Sequence, residues 1–451
     1  MRVIRGIWPY QNPARVVADA IGTPNAETVL TPFGGNFVQS TVNQSALDIQ
    51  SGAHEIIILT GAECGYSQAK ARKFGIDLAW QPAPGTPDRL LGEDKNMRHE
   101  AEKQAGLGRP IQLYPMFENA LRYARGESVT EHLQRVSQLW ARFSEVAAAN
   151  PHAWIRQPVS AVDIRTPSAD NRPVSFPYPK LMNSNNNVDQ GAALILCSTD
   201  AARRLGVPEA KWVYPWAGTD AHDHYFVSNR DNLHSSPGIR FAGRRCMELA
   251  GVTPEDLERV DIYSCFPVAV EVGAAELGFS ESRALTVTGG LTFAGGPLNN
   301  YVMHSITRMA ELLREQPSER GLITANGGYL TKHAFGVYSA TPPGRPFRHD
   351  DVQAAVDATP MRDVALGHRG PVTVEAYTVM YGPDGPNKGH FATLTSDGKR
   401  AWAETEDKEV LDAMTREEFC GRREPSTATE VSLYKPVGYV VLFTLLITKQ
   451  P

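Results

Sequence analysis

Few residues in this 451-residue chain are of a type and spacing suited to covalent chemistry. The five cysteines, Cys64, Cys197, Cys246, Cys265 and Cys420, are odd in number, far apart and never in a Cys-x-x-Cys pair. That pattern argues against a disulfide framework or a zinc site, and it fits a reducing, cytoplasmic setting. Cys265 stands in Ile262-Tyr-Ser-Cys-Phe-Pro267, where a thiol can trade a proton or simply pack as a small apolar residue. Two glycine-rich stretches follow: Thr288-Gly-Gly-Leu-Thr-Phe-Ala-Gly-Gly-Pro-Leu-Asn-Asn-Tyr301 and Thr324-Ala-Asn-Gly-Gly-Tyr-Leu-Thr-Lys-His333. Glycines let a backbone approach a ligand closely. A tyrosine or histidine beside such a loop is chemically suited to proton transfer; Tyr263, Tyr301, Tyr329, Tyr338 and His333 all lie on or near these stretches. Asp220-Ala-His-Asp-His224 offers a His-x-His pair without a third distant ligand, so no metal site is expected. Neither a dinucleotide Gly-x-Gly-x-x-Gly nor a phosphate-binding Gly-x-x-x-x-Gly-Lys-Ser/Thr occurs in the required setting.

The elements that must hold these residues alternate. Arg2 to Trp8 reads as a strand rather than a secretory signal, Pro13 to Ile21 as a helix and Ala26 to Leu30 as a strand. Asn36 to Ser51 has helical spacing, and His54 to Gly61 is an apolar run suited to a strand buried on both faces. Between about 69 and 185 the character changes to helices over Phe117–Arg125 and Val129–Asn150, the second opened by the capping box Ser128-Val-Thr-Glu131, and then to a proline-rich stretch. The alternation resumes with a strand at Gly191–Ser198, a helix at Arg240–Gly251 and a strand at Glu258–Tyr263. It continues with a helix at Val268–Leu277, a strand at Leu285–Thr288, a helix at Pro297–Glu315 and a strand at Leu322–Ala325. Strands at Val372–Tyr381, His390–Thr395 and Arg400–Thr405, with tight turns between them and a short helix at Glu409–Glu418, make a small β domain.

Composition excludes some classes. A 42% hydrophobic, 21% charged chain of net charge -5 is ordinary for a globular protein and predicts no nucleic-acid binding. The longest apolar run, Val437 to Ile447, is too short for a bilayer and reads as a buried strand. No membrane span is expected.

Four segments in order resemble the thiolase superfamily, and within it the thiolase-like proteins type 1 that carry an additional C-terminal domain. They are Gly34-Gly-Asn-Phe-Val-Gln-Ser40 with Gly52 to Glu63, the asparagine-rich Asn183 to Ala193, Ile262 to Pro267, and the paired glycine loops. The resemblance implies an α/β thiolase fold: two related βαβαβαββ halves in αβαβα layers, a helical loop-domain insertion and a C-terminal OB-like β-barrel domain. The implied limits are 1–235 for the first half, 236–342 for the second and 343–451 for the added domain, with the insertion at about 69–185. The first half then lacks its first strand and helix, which would leave a short sheet.

By the same resemblance, the family's nucleophilic cysteine falls on Gly35 and its catalytic histidine on Gly296, with Ala325 at a second cysteine position. A glycine cannot attack a thioester, so ordinary thiolysis is not expected. The implied ligand is coenzyme A or an acyl-CoA, with no permanently bound cofactor. Gly35, Asn36, Gly296, Asn326 and Gly328 are the expected binding residues, and Cys265, His333 and Tyr301 the candidate catalytic ones. Three activities stay open: an acyl-CoA-handling acyltransferase scaffold, a carbon–carbon lyase acting by retro-aldol cleavage through Tyr and His, and a non-catalytic binder. The chain is expected as a monomer or a homodimer.

Overall fold

The computed structural model describes residues 1–80 and 85–423. The apolar run 437–447 lies outside the described residues. The first strands are β1 (Arg2–Val3), β2 (Val29–Leu30), β3 (Ile56–Cys64) and β4 (Arg89–Leu90). Helix α1 (Pro13–Ala20) begins with Pro13 after the Asn12 cap, whose side chain accepts from the Arg15 N–H. Helix α2 (Phe37–Gln50) buries Phe37, Val38 and Val42 but also Gln39, Asn43 and Ser45. Those polar groups are satisfied: Asn43 Nδ2 lies 2.9 Å from Asp220 Oδ2, and Gln39 Oε1 accepts from Tyr338 at 2.8 Å.

The insertion is built on α3 (Pro110–Ala124) and α4 (Val129–Ala149). The capping box at Ser128 and Glu131 forms as expected. Helix α3 starts seven residues before the expected Phe117 and runs through Pro115. Proline removes one backbone bond, but Tyr114, Met116 and Phe117 are fully buried on this helix, and their packing holds the turn. Two short strands, β5 (Pro173–Ser175) and β6 (Tyr178–Pro179), follow.

Strand β7 (Asp189–Cys197) then completes the first sheet in the order β4-β2-β1-β3-β7, with only β7 antiparallel to its neighbour. The sheet has five strands with β1 at its centre, because β4 pairs with the outer side of β2. The expected strand deficit is not observed. The second sheet has β8 (Tyr214–His222), β9 (Arg259–Asp261), β10 (Arg320–Gly327), β11 (Lys332–Ser339) and β12 (Arg348–Asp351), in the order β12-β8-β11-β10-β9. Strand β8 therefore belongs with the second half, although the sequence limit at 235 left it in the first; its mixed Tyr-Pro-Trp-Ala-Gly run carries no clear strand period. Leu285–Thr288 is not a strand. It is held irregular by backbone N–H bonds to the buried Asp261 carboxylate, including Val287 N at 2.9 Å.

Helices α5 (Pro237–Ala250), α6 (Pro267–Leu277) and α7 (Tyr301–Glu315) complete this half. Helices α2 and α7 touch strands of both sheets and form a middle layer, and one continuous apolar core spans the halves and the insertion. The C-terminal strands β13 (Val372–Gly382), β14 (Gly385–Thr395) and β15 (Arg400–Thr405) are antiparallel, and β5 and β6 from the insertion extend them to five in the order β15-β14-β13-β5-β6. Their own core gathers Phe176, Tyr377, Phe391 and Phe419. No described helix is long and apolar enough to cross a membrane.

Candidate functional site

The second glycine-rich stretch is the turn of the β10–β11 hairpin. Asn326 on β10 lies directly opposite His333 on β11. The turn is tight enough that Leu330 sits at φ 52°, a left-handed conformation that costs a branched residue energy and is common where a site is pre-formed. Tyr114, from the insertion, secures it. Its hydroxyl receives Asn326 Nδ2 at 2.9 Å and the Leu330 N–H at 2.8 Å, and donates to the Gly328 carbonyl at 3.2 Å. Burial keeps the Tyr114 phenol protonated.

Cys265 lies beside this hairpin, its sulfur 3.8 Å from Asn326 Nδ2. Burial pushes the Cys265 thiol up to about 12, with hydrogen bonds from Tyr114 and Asn326 only partly opposing it. A thiol so placed stays protonated at neutral pH and is a poor nucleophile.

Gly35 leads into α2. A side chain at this position would have to start 2.5 Å from the Asn326 carbonyl oxygen and 2.6 Å from the Tyr263 hydroxyl. Gly35 is thus required by close approach. Tyr263 is buried, and its phenol is raised well above its ordinary value by burial and by Cys265 and Tyr301 nearby. Asn36, next along, is buried but leaves its Oδ1 without a partner and makes no side-chain cap to α2.

His333 is also buried. Its Nε2 lies 3.0 Å from Asp223 Oδ2 and 3.4 Å from Ser236 Oγ, and Ser236 in turn donates to Asp223. The Gly238 N–H donates to the other Asp223 oxygen at 2.9 Å. Burial would raise the Asp223 carboxyl, but His333, Arg230 and Ser236 hold it below its ordinary value. A cavity with room for about one water is lined by Tyr263, Asn326, His333, Thr324 and Phe335.

Gly35, Asn36, Cys265, Asn326, Gly328 and His333 therefore gather around one hairpin. Gly296 and Tyr301 do not join them directly. The Gly296 N–H donates to the Asn185 carbonyl at 2.9 Å, so the asparagine-rich segment meets the first glycine loop. Tyr301 contacts Thr288 Oγ1 at 2.6 Å and Asp261 Oδ1 at 3.2 Å, as a post in a buried network. A larger cleft, about 370 Å³ and within the range of ligand pockets, opens on this side between Gln190, Thr288, Gly295, Tyr301, His304 and Arg308. The Tyr263 and Tyr301 rings meet edge-on, centroids 5.5 Å apart, so one tyrosine lines the small cavity and the other lines the cleft.

Three participants escaped sequence reasoning. Tyr114 carries no local signal, since it arrives from the insertion. Asp223 sits in the Asp220–His224 run and serves His333. The rest of that run is spread out, with Asp220 facing Asn43 and His349 Nε2 at 2.9 Å and His224 facing Thr359. Lys332, beside His333 in sequence, reaches the Phe33 carbonyl at 2.9 Å.

The family model described as the thiolase-like protein type 1 additional C-terminal domain matches residues 351–425. A monomeric SCP2-thiolase like protein type 1 from Mycobacterium smegmatis is 30% identical and superposes with a TM-score of 0.79 over 94% of this chain and 85% of that one. The dimeric peroxisomal thiolase of Saccharomyces cerevisiae superposes with a TM-score of 0.51 at 15% identity, over 75% of this chain and 84% of that one, a likeness of fold alone. An acetyl-CoA acetyltransferase of Methanothermobacter thermautotrophicus is 25% identical over 274 residues, 59% of this chain. The match spans 62% of that relative's length. The architecture is the thiolase fold.

Proposed function

The chain belongs to the thiolase-like type 1 family, and from that premise we propose that it binds acyl-CoA thioesters without thiolysis. One observation carries this reading. The place beside Gly35, which the family resemblance gives to a nucleophile, is filled by the Tyr263 hydroxyl and the Asn326 carbonyl. Thiolysis needs a thiolate there and a base to make it. Cys265, the nearby thiol, is buried and held neutral. What supports binding is the glycine turn of the β10–β11 hairpin beside Gly35 at the entry to α2 and, on the side of the first glycine loop, a ligand-sized cleft. Equilibrium dialysis against butyryl-CoA and acetoacetyl-CoA tests the reading: both esters are retained unchanged, and absence of retention contradicts it.

A second reading has its own observation. Tyr263 and His333 line one cavity, and Asp223 orients the histidine. A phenol and an oriented imidazole suit retro-aldol cleavage of a 3-hydroxyacyl-CoA, which needs a base for the hydroxyl proton and a donor for the enolate. Release of an aldehyde or ketone without free CoA would favour it.

A further inference from the structure

Residues 92–98 cross the outer face of the β10–β11 turn as a strap. Residues 92–96 and Arg98 are exposed, and Met97 is half-buried. Both ends of the strap are fixed. On one side β4 pairs with β2, and the Leu91 N–H donates to the Leu30 carbonyl at 3.0 Å. On the other, His99 caps the short helix Glu100–Gln104, and Glu102 of that helix accepts from the Ser228 N–H at 2.7 Å. Between these posts the only hydrogen bonds of the strap's backbone, among the described residues, are local ones between Asn96 and Arg98. A segment held this way is one that opens locally at small cost. Gly92, at φ 106°, supplies a hinge at its first residue.

Side chains hold the strap down. Asp94 Oδ1 accepts from the Phe33 N–H at 3.1 Å, and Lys95 Nζ lies 5.4 Å from the centre of the Tyr225 ring. Arg98 lies along Gly108. Met97 sits on the hairpin turn, so close that a side chain at Gly328 would begin 2.5 Å from its sulfur. A side chain at Gly92 would begin 2.6 Å from the Phe37 ring. The strap thus meets Phe33, Phe37 and Gly328. These bracket Lys332, whose Nζ donates to the Phe33 carbonyl and lies over the Phe37 ring, and Asn36, next to Phe37. Both are buried. The cavity at Asn326 holds about one water, far too little for the acyl end of a CoA ester. Gly35, Asn36, Asn326 and Gly328 do not line the larger cleft.

We propose that residues 92–98 are an autoinhibitory lid. With Met97 seated on Gly328 they shut the site around Gly35 and Asn326, and an acyl-CoA binds there only when the strap swings out. The inference rests on the acyl-CoA reading above. The closed strap leaves no room beneath it, so it competes with the ligand instead of closing over it. Apparent affinity is then the intrinsic affinity reduced to the fraction of molecules that stand open. Loosening the strap raises that fraction, so removing a contact within the protein tightens binding. The gain falls on the association rate, whereas mutations of a ligand contact act mostly through dissociation.

The test is the binding kinetics of butyryl-CoA on the intact, immobilised protein, for wild type, Met97→Ala, Asp94→Ala and Met97→Leu. Met97→Ala is expected to bind about tenfold tighter through faster association. Asp94→Ala shifts the same way by less, and Met97→Leu, which keeps the plug, behaves as wild type. Oxidation by hydrogen peroxide reads the strap itself in the wild-type protein. Bound ester is expected to speed oxidation of Met97 while the buried Met116 stays protected. Binding of the ester with unchanged or weaker affinity in Met97→Ala, or with slower oxidation of Met97, would overturn the lid and leave the acyl-CoA reading standing. Failure of all four proteins to bind the ester would overturn both.

Discussion

The Tyr263 hydroxyl stands 2.6 Å from where a side chain at position 35 would begin, so Tyr263 and Gly35 are complementary halves of one contact. Restoring a cysteine therefore cannot restore a thiolase. Gly35→Cys is expected to lose about 1–3 kcal/mol of stability by overpacking and to gain no thiolysis. Tyr263→Phe in the same chain removes the clashing oxygen and recovers part of the loss, but the Asn326 carbonyl at 2.5 Å remains. Gly296→Ala is milder, since its nearest obstacle is the Asn186 side chain at 3.0 Å. Thermal melts of the four proteins check the order.

Cys265 should be inert. With its thiol pushed up to about 12 and its side chain buried, it is expected to resist iodoacetamide in the native protein at neutral pH, while Cys64 and Cys197, which are half-exposed, react first. Peptide mapping after a timed pulse measures this. Rapid alkylation of Cys265 would contradict the assignment.

The His333–Asp223 pair is buried on both sides, and breaking it leaves an uncompensated charge or donor. Asp223→Asn is expected to destabilise by about 3 kcal/mol, the scale for removing one partner of a buried ion pair. Ser236→Ala costs less, because the Gly238 N–H still serves the carboxylate. Denaturant melts compare them.

These residues show what could and could not be read from sequence. Alternation of strand and helix gave the layered fold; the local signals at Ser128 and Pro13 placed their helices within a residue, and the apolar run from His54 placed the strand Ile56–Cys64 within three. The glycine loops marked the hairpin that bears Asn326 and His333. Contacts between distant segments had no local mark: Tyr114 reaches the hairpin across more than 200 positions of sequence, and β4 repairs the sheet edge from inside the insertion. Tyr301 looked catalytic because it follows a glycine loop, but its hydroxyl is spent on Thr288 and Asp261.

Glu63 supplies a pH dependence. Burial raises its carboxyl to about 7, against a single opposing bond from the Ile7 N–H at 3.1 Å. A carboxyl raised on folding favours the fold below its unfolded value and loses that contribution as pH rises through about 7. Melting temperature is expected to fall between about pH 5 and about pH 8, and Glu63→Gln to flatten that part of the curve. An unchanged slope in the variant would contradict the assignment.

The most direct measurement is mass spectrometry of products after incubation with acetoacetyl-CoA, with and without free CoA. Retained ester and no acetyl-CoA formed in response to free CoA is the predicted result. Acetyl-CoA that appears only when free CoA is added would mean thiolysis, and the account of Gly35, Tyr263 and Cys265 as a site without a nucleophile would be wrong.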